Sequence, residues 1–475
     1  MKVVLAIDLG GSGLKAGLVS ASAQLLATER VGRSIPLEPD GRSQVDPDVW
    51  WSDLGEAAQR LAASRPDLYA SVAAVAICGM TRTQVVVDEE GAAVCPAVTW
   101  RDASAPPCSI DGRVLDAFHP IPRLLRLRRE EPETMARAAA VLDPKDYLAA
   151  HLTGMLASDA VSLARLIDDA GLVPEAAWLR GLLPPLLAPT TEVGLVRRNL
   201  PGALGELAGR PVFMSSHDTW AAVLGLGALR VGEAYAVSGT SEVLGLIAGG
   251  PAVAEGLIHV VWGQGLHHLG GPSQTGASAI DWLAGITGVR EGSLDSLLAG
   301  PRHSRPLLFL PFLEGERVPY WDPALRGAFL GLDRGHGTAD LAAAVVEGVA
   351  FANRVVLERA EGAAGLRAPA LRLGGGVAAS RRWAQAKADI CARPVLIGAQ
   401  AEPGLLGAGL VAWTGLGHYA SLAAAQDAVT GQAQMIEPRP EAHDTYERLF
   451  ALHKDAVAAM RDLSHRLAFV SNPSF

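Results

Sequence analysis

The sequence predicts an α/β protein built from two related halves, each with a mixed β-sheet flanked by helices. Three observations lead to this fold class. Strand-like and helix-like segments alternate along the chain, which is the pattern of α/β folds. A strand, a glycine-containing turn and a second strand occur in "VVLAIDLGGSGLKAGLVS" and again in "EAYAVSGTSEVLGLIAGG". Finally, 475 residues exceed what one hydrophobic core usually supports, so more than one domain is expected.

The individual elements follow from hydrophobic periodicity and from turn residues. The N-terminal segment predicts a hairpin, because two apolar runs flank "DLGGSG" and glycine adopts positive φ without steric cost. A helix is expected from about Ser380, where Trp383, Ala386 and Ile390 recur at helical spacing after the Gly374–Gly376 cluster. Further predicted strands are 72–80, 84–91, 211–215 and 306–315, and further predicted helices are 47–63, 339–360 and 404–417.

Composition narrows the classes of function. A formal net charge of -9 argues against a nucleic-acid-binding surface, which would need clustered Lys and Arg. The short apolar run at the N-terminus is broken by Asp8 and is interpreted as a strand rather than a signal peptide, and no run is long enough for a transmembrane helix. The 4 cysteines are scattered and form no CxxC pair. A cytoplasmic protein with a small-molecule ligand, and without a membrane or nucleic-acid partner, is therefore expected.

Three glycine bends could hold phosphate groups. They lie at residues 8–13, 239–241 and 374–376. Glycine lets backbone N–H groups approach phosphate oxygens, and the hydroxyls of Ser12, Thr240 and Ser241 can add donors. Each bend alone favours a tight hairpin or a helix-packing glycine over a phosphate site, and none fits the P-loop or Rossmann pattern.

Asp218, in "SSHDTW", has two interpretations. It lies between an apolar strand and a predicted helix, where Asp is a common N-cap. The same place is the carboxyl end of a strand, where open α/β sheets bind their ligands, so Asp218 could also be a catalytic base. The residue alone leaves both possibilities open.

The order of the bends resembles that of the FGGY carbohydrate kinases, within the actin-like ATPase superfamily. The chain contains "IDLGGSGLKAG", then "SGTSE", then "LGGGVA", in the order of this family's phosphate and adenosine motifs. Residues 327–347, "GAFLGLDRGHGTADLAAAVVE", match the family's second signature. The matching positions are Gly327, Phe329, Gly331, Leu332, Asp340, Leu341, Ala344 and Glu347.

This resemblance implies two RNase H-like domains with the active site in the cleft between them. We expect the boundary near residue 246: residues 1–246 would bind the sugar and hold the first phosphate segment and the catalytic Asp, and residues 247–475 would bind adenosine. ATP and Mg²⁺ are the implied cofactors, with Asp218 as general base and Asp8 and Asp218 as metal ligands. The implied nucleotide-binding residues are Gly10, Gly11, Ser12, Lys15, Gly239, Thr240, Ser241, Gly276, Gly374, Gly375, Gly376 and Val377.

The substrate is less well defined. By position, Arg82, Trp100, Asp102 and Asp218 are the candidates for contacting a sugar or polyol. "MTRTQ" fits neither the His-containing segment of xylulose kinases nor the Arg-Glu segment of glycerol kinases, and His217 replaces a glycine common before the base. Other motifs favour the xylulose kinase branch, so a ketopentose such as D-xylulose or ribulose is the first expectation. Glycerol, erythritol, other polyols or a deoxyketose are the alternatives.

Two further function classes remain as alternatives. One is an actin- or Hsp70-like protein in which nucleotide turnover drives assembly or partner binding, and the other is a catalytically inactive sugar sensor. Neither class needs a base at Asp218, and the first would lack the signature at residues 327–347. By analogy with the family, the protein could form a homodimer.

Overall fold

The computed structural model divides into two compact units. Unit 1 contains Met1–Gly225 and Glu402–Ala428, and unit 2 contains Leu226–Ala401 and Val429–Phe475. The structure describes residues 1–110, 113–168, 171–172, 174–239, 241–288, 294–300, 302–398 and 400–470. The prediction of mixed sheets flanked by helices is confirmed in both units.

Unit 1 is built on a six-stranded sheet with the order β13-β14-β5-β1-β2-β3. Strands β14, β5 and β1 are parallel, whereas β1, β2 and β3 form an antiparallel meander. Three two-stranded ladders pair β4 with β7, β6 with β10 and β8 with β9, and a fourth pairs β11 with β12. The strands are β1 (Val3–Gly10), β2 (Gly13–Ser20), β3 (Leu25–Gly32), β4 (Gln44–Val45), β5 (Val72–Gly79), β6 (Val85–Val87), β7 (Ala97–Val98), β8 (Cys108–Ile110), β9 (Arg113–Leu115), β10 (Ala140–Leu142), β11 (Ile167–Asp168), β12 (Gly171–Leu172), β13 (Glu192–Leu195) and β14 (Pro211–His217).

The helices of unit 1 cover this sheet. Its first long helix buries Trp50, Leu54, Ala57 and Leu61, whose spacing of three or four residues places them on one face. The helices are α1 (Asp48–Ser64), α2 (Pro66–Tyr69), α3 (Pro120–Glu130), α4 (Pro132–Ala136), α5 (Pro144–Thr153), α6 (Gly202–Gly205) and α7 (Asp218–Gly225), with a 3₁₀ helix at Pro174–Leu182.

Unit 2 repeats the arrangement with a seven-stranded sheet of order β17-β18-β16-β15-β21-β22-β23. Strand β15 is parallel to β21 and antiparallel to β16, so a hairpin again continues into parallel strands. The strands are β15 (Ala234–Ser238), β16 (Glu242–Ala248), β17 (Ile258–Val261), β18 (His267–Pro272), β19 (Leu308–Leu310), β20 (Ala328–Leu330), β21 (Leu371–Gly374), β22 (Val395–Ile397) and β23 (Gln434–Ile436).

The remaining helices include the long α10, which is buried along much of its length. The predicted helix after Ser380 is confirmed, because the Ser380 hydroxyl accepts the Trp383 backbone N–H at 3.2 Å and caps it. These helices are α8 (Ser278–Thr287), α9 (Leu294–Leu297), α10 (Thr338–Ala364), α11 (Arg381–Cys391), α12 (Pro403–Gly415), α13 (Leu422–Thr430) and α14 (His443–Val470), with 3₁₀ helices at Gly376–Ala379 and Pro440–Ala442.

The division between the units differs from the expected boundary near residue 246. Residue 246 lies inside β16, which pairs with β15 in the sheet of unit 2, so the whole hairpin belongs to that unit. Residues 402–428 also belong to unit 1, although they follow most of unit 2 in the sequence. Within the described part of the chain, none of the helices is long and apolar enough to cross a membrane.

Candidate active site

Three predicted site residues lie at the carboxyl ends of adjacent parallel strands in unit 1. Asp8 is near the end of β1, Arg82 follows β5, and Asp218 follows β14. The register brings these ends together, because Gly79 pairs with Leu9 on one side and with His217 on the other. This edge is where open α/β sheets place their ligands.

Asp218 begins α7, and its carboxylate remains partly exposed. Its Oδ1 accepts the Thr219 backbone N–H at 2.6 Å. The helix is also capped by His217, whose Nδ1 accepts the Trp220 backbone N–H at 3.2 Å. His217 therefore performs the capping role that the sequence allowed for Asp218, and one Asp218 oxygen, Oδ2, accepts no hydrogen bond from the described residues.

Asp8 is half-buried, and its Oδ1 is buried without a hydrogen-bond partner among the described residues. Burial, which is the largest cause, and the negative charges of Asp218 and Glu402 together raise the pKa of Asp8 to about 7 against the opposing charge of Lys15. A buried carboxylate oxygen without a partner is costly. Such an oxygen is the expected state of a cation ligand when the cation is absent.

The surroundings of Asp8 also fit a cation. Lys15 pairs with Glu402 at 2.5 Å. At the start of α12, a Cβ on Gly404 would lie 2.6 Å from Asp8 Oδ2, so only glycine leaves this oxygen its space. Mg²⁺ prefers carboxylate oxygens, and Asp8 and Asp218 supply them. The donor set therefore fits the predicted metal.

The first phosphate segment forms the turn between β1 and β2. Gly10 pairs with Gly13, and Gly11 and Ser12 form the bend between them. The indole of Trp100 lies beside this bend, since a Cβ on Gly11 would be 3.6 Å from Trp100 Nε1. The side chain of Trp100 is partly exposed.

The other two sugar-contact candidates differ in their environments. Arg82 has a left-handed backbone with φ of 60°, which is uncommon outside glycine and clusters at functional sites. Asp102 is fully buried and accepts hydrogen bonds from the Ser43 N–H at 2.9 Å and the Ser104 hydroxyl at 2.8 Å. Both oxygens of Asp102 are thus used within the protein, and a contact with the sugar stays a prediction.

In unit 2, the second phosphate segment and Gly276 lie together. A Cβ on Gly276 would be 2.7 Å from the Ser241 carbonyl carbon, and the Ala277 N–H donates to the Gly239 carbonyl at 2.9 Å. Thr240 lies outside the described residues.

The predicted adenosine segment adjoins the same hairpin. Gly374 pairs with Val237 in the sheet, and Gly375 has φ of 91° at a position where a Cβ would lie 2.1 Å from the Ser238 carbonyl oxygen. Gly376 and Val377 begin the short 3₁₀ helix that follows. The predicted nucleotide-binding residues of unit 2, as far as the structure describes them, therefore lie together.

Sequence reasoning missed Glu402 and Gly404. They lie far from Asp8 along the chain, and no local pattern links them to it.

Among the described residues, His303, Asp333 and His336 lie close enough together to hold a cation. However, His303 Nδ1 accepts the Arg305 N–H and His336 Nδ1 accepts the Asp333 N–H, so internal hydrogen bonds already use these imidazoles.

Comparisons with known proteins identify relatives of the chain. The chain is 30% identical over 425 residues to a xylulose kinase of Klebsiella pneumoniae, covering 81% of this chain and 84% of the relative. It is 30% identical over 456 residues to a glycerol kinase of Thermus brockianus, covering 88% and 90%. A crystal structure described as a xyloylose kinase from Brucella ovis matches with a TM-score of 0.84 and 26% identity, covering 97% of this chain and all of that one.

The family models span both units. Residues 3–109 match the N-terminal domain of the FGGY family of carbohydrate kinases, and residues 234–416 match its C-terminal domain. Together they cover more than half of the chain, and the relatives above extend the match to most of it. The chain belongs to the FGGY family of carbohydrate kinases.

Proposed function

We propose that this carbohydrate kinase transfers a phosphoryl group from Mg-ATP to a hydroxyl of a small ketose, with a ketopentose such as D-xylulose or ribulose as the first candidate. Membership of the family makes the protein a sugar kinase and implies ATP as the phosphoryl donor. One observation carries the proposal. Asp8 and Asp218 lie at the carboxyl ends of β1 and β14, the two strands that flank β5 in one sheet. Asp8 has a buried oxygen without a partner among the described residues, and the Asp218 carboxylate is partly exposed.

In this proposal Asp218 is the general base. A sugar hydroxyl is a weak nucleophile, and a carboxylate within hydrogen-bond reach can accept its proton as the bond to phosphorus forms. Such assistance is worth roughly 10²- to 10⁴-fold in rate. The hydrogen bond from Thr219 N–H fixes Oδ1, which leaves Oδ2 for the substrate hydroxyl.

Asp8 and Asp218 would hold Mg²⁺. When bound, the ion neutralises charge on the phosphate oxygens during transfer. Gly404 keeps Asp8 Oδ2 unobstructed, and the Lys15–Glu402 pair limits the charge around it. In this proposal the backbone N–H groups of residues 10–12, 239 and 374–376 would contact the phosphate groups and the adenosine of ATP.

The relatives support a ketose as the phosphoryl acceptor but are also compatible with other acceptors. A xylulose kinase and a glycerol kinase are equally similar to the chain by percentage identity. Glycerol, erythritol, other polyols and deoxyketoses therefore stay as alternative acceptors. A homodimer in the cytoplasm is part of the same proposal, and light scattering after size exclusion tests the dimer.

Coupled ADP release across ketopentoses, ketohexoses, tetritols, pentitols and glycerol tests the function. We expect sugar-dependent ADP release that requires Mg²⁺ and falls at least 10²-fold in Asp218→Asn. In Asp8→Asn, we expect the Mg²⁺ concentration for half-maximal rate to rise. Retention of most sugar-stimulated turnover in Asp218→Asn would contradict the general-base role.

A further inference from the structure

Strand β14, which leads into Asp218, does not pair regularly with β5 at its carboxyl end. The two strands are in register at Met214 with Ile77 and again at His217 with Gly79. This step is three residues long on β14 but two residues long on β5, so β14 carries one extra residue there. Such bulges are uncommon between parallel strands and are over-represented beside active sites, where they re-aim a side chain. The position of Asp218 therefore depends on what holds this bulge.

The bulge contains Ser215 and Ser216, whose hydroxyls have different surroundings. Both residues are fully buried. The Ser216 hydroxyl donates to Asp159 Oδ1 at 2.9 Å, whereas the Ser215 hydroxyl has no hydrogen-bond partner among the described residues. A longer contact of 3.4 Å joins the hydroxyls of Ser216 and Ser162. The side chain of Ser216 therefore anchors the bulge, and that of Ser215 does not.

Asp159 is itself held by several groups. It is 1% exposed, and its Oδ1 also accepts the backbone N–H groups of Val161 and Ser162, each at 3.0 Å. Its Oδ2 lies 2.7 Å from the Nζ of Lys145, a buried residue of α5. The same Nζ lies 2.5 Å from Asp146. Asp159 thus joins the bulge of β14 both to its own loop and to α5.

The charge of Lys145 favours the ionised form of Asp159. Burial alone would raise the pKa of Asp159, but the charge of Lys145 and hydrogen bonds from Lys145 and Ser162 outweigh burial and hold this pKa below its usual value. Burial raises the pKa of Asp146 despite the opposing charge of Lys145. A hydrogen bond to an ionised group is roughly twice as strong as one between neutral groups. The bond from Ser216 to Asp159 is therefore a strong restraint on the end of β14.

This restraint acts at the start of α7. Asp218 begins that helix two residues after Ser216, and the Thr219 backbone N–H fixes Asp218 Oδ1. A shift of the bulge would therefore move Oδ2, the proposed proton acceptor, away from the acceptor hydroxyl. A misplacement of about 1 Å can cost on the order of 10²-fold in rate.

We propose that Asp159 is a positioning residue for Asp218. Through the Ser216 hydroxyl, Asp159 fixes the bulge of β14 so that the carboxylate of the base meets the acceptor hydroxyl. Lys145 in turn holds Asp159. This inference rests on the proposed function, because it assigns a role relative to the general base. In this role neither Asp159 nor Ser216 contacts the substrates or takes a proton.

Ser216→Ala tests the inference, with Ser215→Ala as the matched control. Each variant removes one buried hydroxyl from the bulge, but only the first breaks the bond to Asp159. Coupled ADP release is measured with D-xylulose and the other acceptors named above, well below the melting temperature of every variant. We expect Ser216→Ala to lower kcat by about 10- to 100-fold and to change the KM for ATP by less than about threefold. Ser215→Ala should change both values by less than about threefold.

A double-mutant cycle distinguishes positioning of the base from a purely structural role. If Ser216 acts through Asp218, adding Ser216→Ala to Asp218→Asn should lower kcat by less than about twofold, because the base is already absent. This residual rate is followed at high enzyme concentration. Asp159→Asn, which removes the charge that binds Lys145, should lower kcat as Ser216→Ala does.

The possible failures differ from one another. A loss of the same factor in the wild type and in Asp218→Asn, or equal kcat values for Ser216→Ala and Ser215→Ala, would overturn the positioning role and leave the base role standing. Retention of most turnover in Asp218→Asn would instead contradict the base role. Absence of ADP release with every acceptor would overturn the proposed function, and the inference with it.

Discussion

His453, on α14, allows a quantitative prediction about stability. Its side chain is fully buried, both ring nitrogens lack hydrogen-bond partners among the described residues, and its ring lies 5.3 Å from the ring of Phe351. Burial lowers the pKa of His453 from 6.5 to about 4. Because the unfolded chain binds this proton more readily, stability declines as the pH falls from about 6.5 to about 4.

The substitution His453→Leu removes both penalties. From pKa values of 6.5 unfolded and about 4 folded, linkage gives a loss of roughly 2 kcal/mol in the wild type between pH 7 and pH 5. The variant lacks that loss. It also lacks the buried unsatisfied ring nitrogens, whose cost is about 1–3 kcal/mol at neutral pH.

Urea unfolding at pH 7 and pH 5, followed by circular dichroism, measures both effects. We expect the variant to be more stable at pH 7, with an advantage that grows by roughly 2 kcal/mol at pH 5. His443→Leu, the same change at an exposed position of the same helix, is the control and should show no such growth. A variant that tracks the wild type at both pH values would refute the argument, because His453 would then be solvated or paired.

Three further predictions concern packing. Lys145 Nζ lies 2.5 Å from Asp146 and 2.7 Å from Asp159. Lys145→Met leaves both carboxylates buried without this cation, so it should destabilise unit 1 by about 3–5 kcal/mol in thermal unfolding. An unchanged melting temperature would contradict this prediction. Gly375→Ala should lower the denaturant midpoint, because its φ is 91° and a Cβ would overlap the Ser238 carbonyl. Gly376→Ala, with open space around its Cβ, should leave the midpoint unchanged, and equal losses in the two variants would contradict the steric argument. Gly407→Ala should destabilise the protein, because a Cβ on this residue of α12 would overlap the Ala221 carbonyl. Gly55→Ala, inside α1 with nothing near its Cβ, should stabilise the protein by about 0.5–1 kcal/mol. Denaturant midpoints that move in the same direction in the two variants would contradict both predictions.

The sequence predicted those elements of the fold that are determined by residues close together along the chain. The β1–β2 and β15–β16 hairpins and the helix after Ser380 depend on nearby residues, and the structure has them. The expected boundary near residue 246 lies inside β16, whereas the compact units divide at residue 226. A hairpin at the start of a sheet has the same sequence pattern whether it ends one domain or begins the next. Only the pairing of β15 with β21 assigns it to unit 2.

The candidate site was predictable in part for the same reason. Asp8 and Asp218 stand in recognisable turn and strand-end contexts. Glu402 and Gly404 act on Asp8 through a helix almost four hundred residues away along the chain, which no periodicity links to β1. Asp102 has the chemistry of a sugar ligand, but its burial and its hydrogen bonds to Ser43 and Ser104 depend on tertiary structure.

The return of residues 402–428 to unit 1 affects the order of folding during synthesis. Helix α12 is buried on nearly every face and packs on β1 and α7, and its Trp413 indole donates to the Val19 carbonyl at 3.1 Å. When the ribosome has made residues 1–225, the surface that receives α12 is still uncovered. The first unit to begin emerging is therefore completed only after most of the second has been translated, and a nascent chain stalled before residue 402 would lack the Glu402 and Gly404 surroundings of Asp8.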